Sequence, residues 1–247
     1  MTEGRVRRVT LNRPEKRNAL NTAVCRELIA EFDRAEADPA TGAILICGEG
    51  PAFCAGMDLS EVLSADQDEL MGLHERLFTM IDRARKPIVA AVQGPALAAG
   101  MGLAANAHVV IAGRDARFGL TEIRIGLWPV VVFRAVVRAI GERRATELSI
   151  SGRYMRADEA LSAGLVGEIA EDPKARAFEI ATQLASFSPT AMATGLEHVA
   201  RIRGLPWSDA VAINQELRAR MIASDDFREG VNAFLEKRPP HWPSLRS

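Results

Sequence analysis

The chain carries almost no net charge: 31 lysines and arginines oppose 32 aspartates and glutamates over 247 residues, a balance of −1. That gives no basic field for nucleic acid and no strongly acidic character, so a nucleic-acid partner is not expected. Long apolar runs are missing too. No stretch approaches the roughly 18 residues of a membrane span, so no membrane partner is expected. The opening MTEGRVRRVTLNRP is charged from the start and does not read as a signal peptide. Cysteine is scarce. Cys25, Cys47 and Cys54 show no paired spacing and no CxxC; without an export signal, reduced thiols in the cytoplasm are the expectation. His74, His108, His198 and His241 are scattered without metal-ligand spacing, so no metal is expected.

What is present fits a soluble globular enzyme. Hydrophobic residues make up 48% of the chain and charged residues 26%, and the length suits one α/β domain. Residues 5–12 alternate apolar and polar positions, as a strand does. Asn21-Thr22 is a plausible cap for a helix over 22–37, whose stripe is Val24, Leu28, Ile29 and Phe32. Further strands are expected at 43–47, 88–92 and 108–112. A helix over about 66–85 carries Leu70, Leu73, Leu77, Phe78 and Ile81. Past Gly126 the pattern predicts helices over about 131–140, 142–151, 157–163, 174–187, 189–203, 207–223 and 226–236, with 165–169 the one strand. Alternating strands and helices followed by helices alone argue for an α/β fold with a helical C-terminal region.

Two turns stand out. GEGPAFCAGMDL (48–59) and GPALAAGMGLAANA (94–107) each follow an apolar strand and carry few side chains, as turns that work through their backbones would. Within the second, Gly100-Met101-Gly102-Leu103-Ala104-Ala105 fits GxGxxA, and Glu122 lies twenty residues beyond Gly102, the outline of a dinucleotide fingerprint. The spacing speaks against it. The fingerprint puts its first glycine at the strand end, whereas seven residues separate Val92 from Gly100.

Six segments, in order, carry a resemblance. LNRPEKRNALN resembles the first loop of the crotonase (enoyl-CoA hydratase/isomerase) family, GEGPAFCAGMDL its first oxyanion-hole segment and VQGPALAAGMGLAANAHVVIA its second. FGLTEIRIGLWP resembles the segment with a catalytic glutamate, SGRYMRADEALSAGLVGEI the later helix–turn–strand, and SDDFREGVNAFLEKRPPHW the C-terminal signature. The resemblance implies the crotonase-like (ClpP/crotonase) fold of repeated ββα units with a helical C-terminal region. It divides the chain into a core for acyl-CoA binding and catalysis, 1–190, and a helical region for trimerisation, 191–247. A homotrimer or dimer of trimers is implied. The apolar Leu196, Val199, Ile202, Val211, Ile213 and Leu217 suit packing on the core and between subunits.

The same resemblance implies an acyl-CoA ligand, taken as substrate with no further cofactor. Chemistry beside a thioester carbonyl passes through an enolate, whose oxygen two backbone N–H groups can stabilise. The match assigns these to Met57 and Ala99, the latter near a helix start. Residues 13–19 and 55–59 would border the nucleotide, with Lys16, Arg17, Ala19, Ala55, Gly56, Asp58 and Leu59 as binding residues. Lys16 and Arg17 could meet phosphates or simply be solvated loop charges. Phe234 and Lys237 are candidates for reaching a neighbouring subunit's ligand. Three nearby readings are structural: Phe53 packs inward, Cys54 fills the core, and Asp58 caps a helix starting at Leu59 or Ser60.

Family hydratases use two glutamates to handle water. Glu122 matches the second; the first falls on Gly102, which has no side chain. Isomerisation of a 3-enoyl to a 2-enoyl thioester needs only one base, so Glu122 acting alone favours an isomerase over a hydratase. A hydratase with a replacement acid and a catalytically silent acyl-CoA-binding homologue are the alternatives, and decarboxylation, dehalogenation or ring cleavage stay open. Val130-Val131-Val132-Phe133 stand where many members have small residues. They either narrow and dry the pocket or form the core face of an element.

Overall fold

The computed structural model describes residues 2–64 and 66–245. A short antiparallel pair, β1 (Thr2–Glu3) and β2 (Val6–Leu11), opens the chain. Asn21 caps α1 (Thr22–Ala37), its side chain accepting from the Val24 amide. β3 (Ala43–Gly48), α2 (Leu59–Val62) and α3 (Gln67–Phe78) follow. The helix expected over 66–85 ends at Phe78. At Thr79 the backbone leaves helical geometry (φ −104°, ψ 2°) and the Thr79 hydroxyl donates to the Glu75 carbonyl, a local bond that competes with helix continuation. A 3-10 turn, Met80–Asp82, leads on to β4 (Ile88–Val92).

Next come β5 (Pro95–Leu97), α4 (Ala99–Ala105), β6 (Val109–Gly113), β7 (Arg117–Gly119) and a 3-10 turn, Glu122–Ile125. Then α5 (Val130–Ile140), α6 (Glu142–Ser151), β8 (Met155–Arg156), α7 (Ala157–Ala163), β9 (Glu168–Ala170) and α8 (Pro173–Ala185) complete the core. The large sheet runs β1-β2-β3-β4-β6-β9 and is parallel apart from β1. Its side chains alternate between faces. Ile44 and Ile46 join Leu28 and Phe32 of α1 and Leu77 of α3. Leu45 and Cys47 meet Ala177, Ala181 and Ala185 of α8, whose small residues let it lie close to the sheet.

A second sheet, β5-β7-β8, was not legible in the sequence. Its strands span two or three residues, too short for alternation to register. Cys54 joins it through an isolated parallel bridge to Ala96. The strand expected at 165–169 forms as Glu168–Ala170, and it is not the sole strand past Gly126, because β8 pairs with β7. After each of β3, β4 and β6 the chain thus visits the second sheet before a helix or 3-10 turn, which is the repeated ββα unit. The remaining helices, α9 (Pro189–Ile202), α10 (Trp207–Ile222) and α11 (Asp225–Leu235), pack on one another. Among the described residues no helix is long and apolar enough to cross a membrane.

Candidate active site

The second sheet sets up the site. Cys54 pairs with Ala96, and Leu97 with Gly119, all parallel. The chain therefore leaves all three places at the same edge, the carboxyl ends of adjacent parallel segments, where ligands are commonly bound in α/β proteins. Met57, Ala99 and Glu122 lie just past these three exits and line one cavity of about 150 Å³.

Neighbouring hydrogen bonds fix the orientation of the backbone at Met57. The Leu20 amide donates to the Gly56 carbonyl and the Asp58 amide to the Leu20 carbonyl, each at 2.8 Å. Peptide groups alternate sides along an extended segment, so the intervening Met57 N–H points away from Leu20, and no acceptor for it occurs among the described residues. Ala99 opens α4, and amides of a first helical turn lack intrahelical acceptors. The preceding amide, Ala98, is taken by the Gly119 carbonyl at 2.8 Å. Ala98 itself holds φ 51° and ψ −118°, a conformation that costs an alanine about 1–3 kcal/mol and clusters at functional sites. The two turns touch. Gly56 has φ +106°, and a β-carbon built on it would lie 3.0 Å from the Ala98 β-carbon and 3.8 Å from the Ala99 nitrogen. Small residues in both stretches are what allow the two turns to meet.

Glu122 begins its 3-10 turn and is only 7% exposed. Its Oε2 is buried without a hydrogen-bond partner, and burial raises the carboxyl's pKa. Gly102 lies one turn into α4 from Ala99, and its side of the helix is filled. A β-carbon there would sit 2.3 Å from Val132 Cγ1 and 3.1 Å from Phe78 Cε1. Both readings of the valine run hold in part: Val130, Val131 and Val132 line the cavity, while Phe133 packs against the core.

Of the residues expected at the nucleotide, Ala55 and Leu59 line this cavity; Lys16, Arg17, Ala19, Gly56 and Asp58 do not. The two expected segments nevertheless run side by side. The Ala55 amide donates to the Arg17 carbonyl at 3.0 Å, and Arg13 donates to the Ala19 carbonyl at 2.9 Å and to Asp58 at 3.0 Å. Asp58 also caps α2, accepting from the Ser60 amide. Hydrogen bonds from Ser60, then Arg13, hold its carboxyl below the usual range. Lys16 and Arg17 are exposed in a tight turn. Phe53 and Cys54 are wholly buried, and burial pushes the Cys54 thiol up to about 12. Phe234 stands 82% exposed at the end of α11, and neither it nor Lys237 lines the cavity. No group of three or more metal-ligating side chains occurs among the described residues.

Among the lining residues that the sequence did not single out, one is polar and deeply buried. His74 on α3 is 6% exposed, faces the cavity, and has a buried Nε2 without a partner. The signal was its position: spaced with Leu70, Leu77 and Phe78, it lies on the buried stripe of α3.

Against known proteins, residues 1–245 match the profile of the family described as enoyl-CoA hydratase/isomerase. The chain belongs to that family. It is 34% identical to a 2,3-dehydroadipyl-CoA hydratase of Escherichia coli, covering 96% of this chain and 95% of the relative. It is 33% identical to the enoyl-CoA hydratase EchA19 of Mycobacterium tuberculosis, covering 95% and 91%. Among solved structures, human enoyl-CoA hydratase domain-containing protein 3 superposes with a TM-score of 0.93 at 27% identity, covering 98% of each chain. An enoyl-CoA hydratase of Mycobacterium smegmatis gives 0.90 at 32%, covering 98% of this chain and 96% of that one. The fold is therefore that of the enoyl-CoA hydratase/isomerase family, and the chain is an acyl-CoA enzyme of that type.

Proposed function

We propose that this family member isomerises 3-enoyl-CoA to 2-enoyl-CoA with Glu122 as its only proton carrier. The thioester oxygen lies between the N–H groups of Met57 and Ala99. Glu122 removes a proton from C2, the electron pair moves into the thioester, and the two donors hold the resulting dienolate oxygen. Glu122 then returns the proton at C4, so the double bond ends between C2 and C3. Each main-chain donor is worth about 3–4 kcal/mol to such a transition state. A carboxyl whose pKa is raised by burial suits a base that must also give its proton back. Coenzyme A is the carrier of the substrate, with its nucleotide along residues 13–19 and 55–59.

The observation that carries this reading is the filled space at Gly102. Val132 and Phe78 occupy the space that a side chain at position 102 would need, which supports a site working without a second carboxylate there. The test is to supply purified protein with a 3-enoyl-CoA and, separately, a 2-enoyl-CoA, following products by chromatography. Conversion of the first to its 2-enoyl isomer, abolished in Glu122→Gln, is expected; efficient hydration of the second overturns the preference. Hydration is the competing reading because the relatives named above are hydratases, and it needs an acid other than one at position 102. Binding of acyl-CoA without turnover of either compound would mark a silent homologue.

A further inference from the structure

His74 has no part in the proton transfer proposed above, yet it lines the same cavity. Its Nε2 is buried and unpartnered. Burial lowers its pKa, keeping the imidazole neutral, so Nε2 donates or accepts according to tautomer. The ring sits one helical turn before Phe78, with centroids 6.1 Å apart and tilted at 57°, and Phe78 in turn closes over Gly102. The reacting end of the cavity is set by Met57, Ala99 and Glu122. His74 comes from a different element, α3, on the wall built by Phe78 and Val132. A leucine or phenylalanine would complete the apolar stripe of α3 there, whereas a buried polar atom without a partner is costly.

We infer that His74 is a specificity-determining residue: the acyl chain carries an uncharged oxygen, hydroxyl or oxo, beyond the reacting carbons, and that oxygen pairs with Nε2. This rests on the reading of the cavity as an acyl-CoA site. A plain alkyl chain would leave the already buried Nε2 unpaired, and sites built to bond a substrate hydroxyl reject analogues that lack it. A chain ending in carboxylate is the wrong partner. Among the described residues no lysine or arginine lines the cavity, and the Glu122 carboxyl shares it.

Saturated acyl-CoAs cannot be isomerised, so they separate binding from turnover. Calorimetric titration would compare a six-carbon saturated chain, the same chain with a hydroxyl or oxo group at C4 or C5, and one ending in a carboxylate. At least one hydroxyl or oxo chain is expected to bind the unmodified protein about tenfold tighter than the plain chain, a difference of roughly 1.4 kcal/mol. His74→Phe should erase that preference by weakening the substituted chain and strengthening the plain one. His74→Gln, which keeps a hydrogen-bonding group, should retain part of it. A plain chain bound as tightly as every substituted one overturns the inference with no variant needed. So does a preference for the carboxylate, or one that His74→Phe leaves intact. If no acyl-CoA binds at all, the acyl-CoA reading falls and takes this inference with it; equal binding of all chains sinks this inference alone.

Discussion

A β-carbon placed on Gly102 would lie 2.3 Å from Cγ1 of Val132. The absent side chain at position 102 and the bulky valine are thus one packing solution between α4 and α5. Gly102→Ala should therefore overpack this contact and cost about 1–3 kcal/mol, each kcal/mol lowering Tm by roughly 2–4 °C in a chain of this size. Gly102→Glu alone should not yield a hydratase, because the new side chain has nowhere to go. Pairing it with Val132→Gly opens that space, and hydration of a 2-enoyl-CoA is then expected to appear. Calorimetry and product analysis on the three variants check both halves. An undisturbed Gly102→Ala would show that Val132 yields easily.

The titration of Glu122 gives a prediction whose sign is fixed by burial. Its carboxyl is held above the ordinary value of about 4.3. Between that value and the raised one, the folded chain binds more protons than the unfolded chain, so this group's contribution falls as pH rises. Asp58 works the other way. Its lowered pKa, from Ser60 and Arg13, gives stability that is present above the ordinary aspartate value and lost in acid. Glu122→Gln removes only the first effect. Its Tm should exceed the parent's at neutral pH, and the two curves should converge as pH falls toward about 4. A gap that is the same at every pH would mean that no burial penalty acts on Glu122.

How much of this was legible depended on length and on side chains. The stripe of Leu28, Ile29 and Phe32 placed α1, and Asn21 and Asp58 do cap helices, because periodicity and capping are local properties. β5, β7 and β8 escaped because two or three residues carry no period, yet these strands bring Met57, Ala99 and Glu122 together. The donors assigned at Met57 and Ala99 are main-chain groups, which leave no residue-type signature; only the resemblance pointed to them. Glu122 was visible by the same route. His74 was hidden because nothing near it in sequence marks a site, and Val132 could be matched to Gly102 only once α4 and α5 were packed.

Gly56 tests whether the two turns act together. At φ +106° it adopts a backbone that alanine resists, and an added methyl would press on Ala98, beside the Ala99 amide. Gly56→Ala should therefore displace both proposed donors at once. Loss of a single oxyanion donor costs about 10²–10³ in kcat, so a fall of at least that size is expected, with KM changed much less because the ground-state carbonyl bears little charge. Steady-state kinetics on the 3-enoyl-CoA would show the split. A rise in KM at constant kcat would instead place Gly56 in binding alone.

The helical tail leaves more apolar surface uncovered than a lone chain should. On α11, Phe234 is 82% exposed, and Phe227, Val231 and Leu235 line one groove with it; Trp207 at the start of α10 is 80% exposed, while Leu217 turns inward. Contiguous apolar surface of this kind marks an association face, and closed rings of identical chains are a common way to cover one. Light scattering on purified protein should give a mass of three or six chains. Phe234→Asp combined with Val231→Asp should shift it toward one chain, since burying either charge without a partner opposes assembly. Intact α/β circular dichroism in that variant would show that the change acts between chains and not on the fold. A single-chain mass for the unmodified protein at micromolar concentration would mean that α10 and α11 are covered by something other than a copy of this chain.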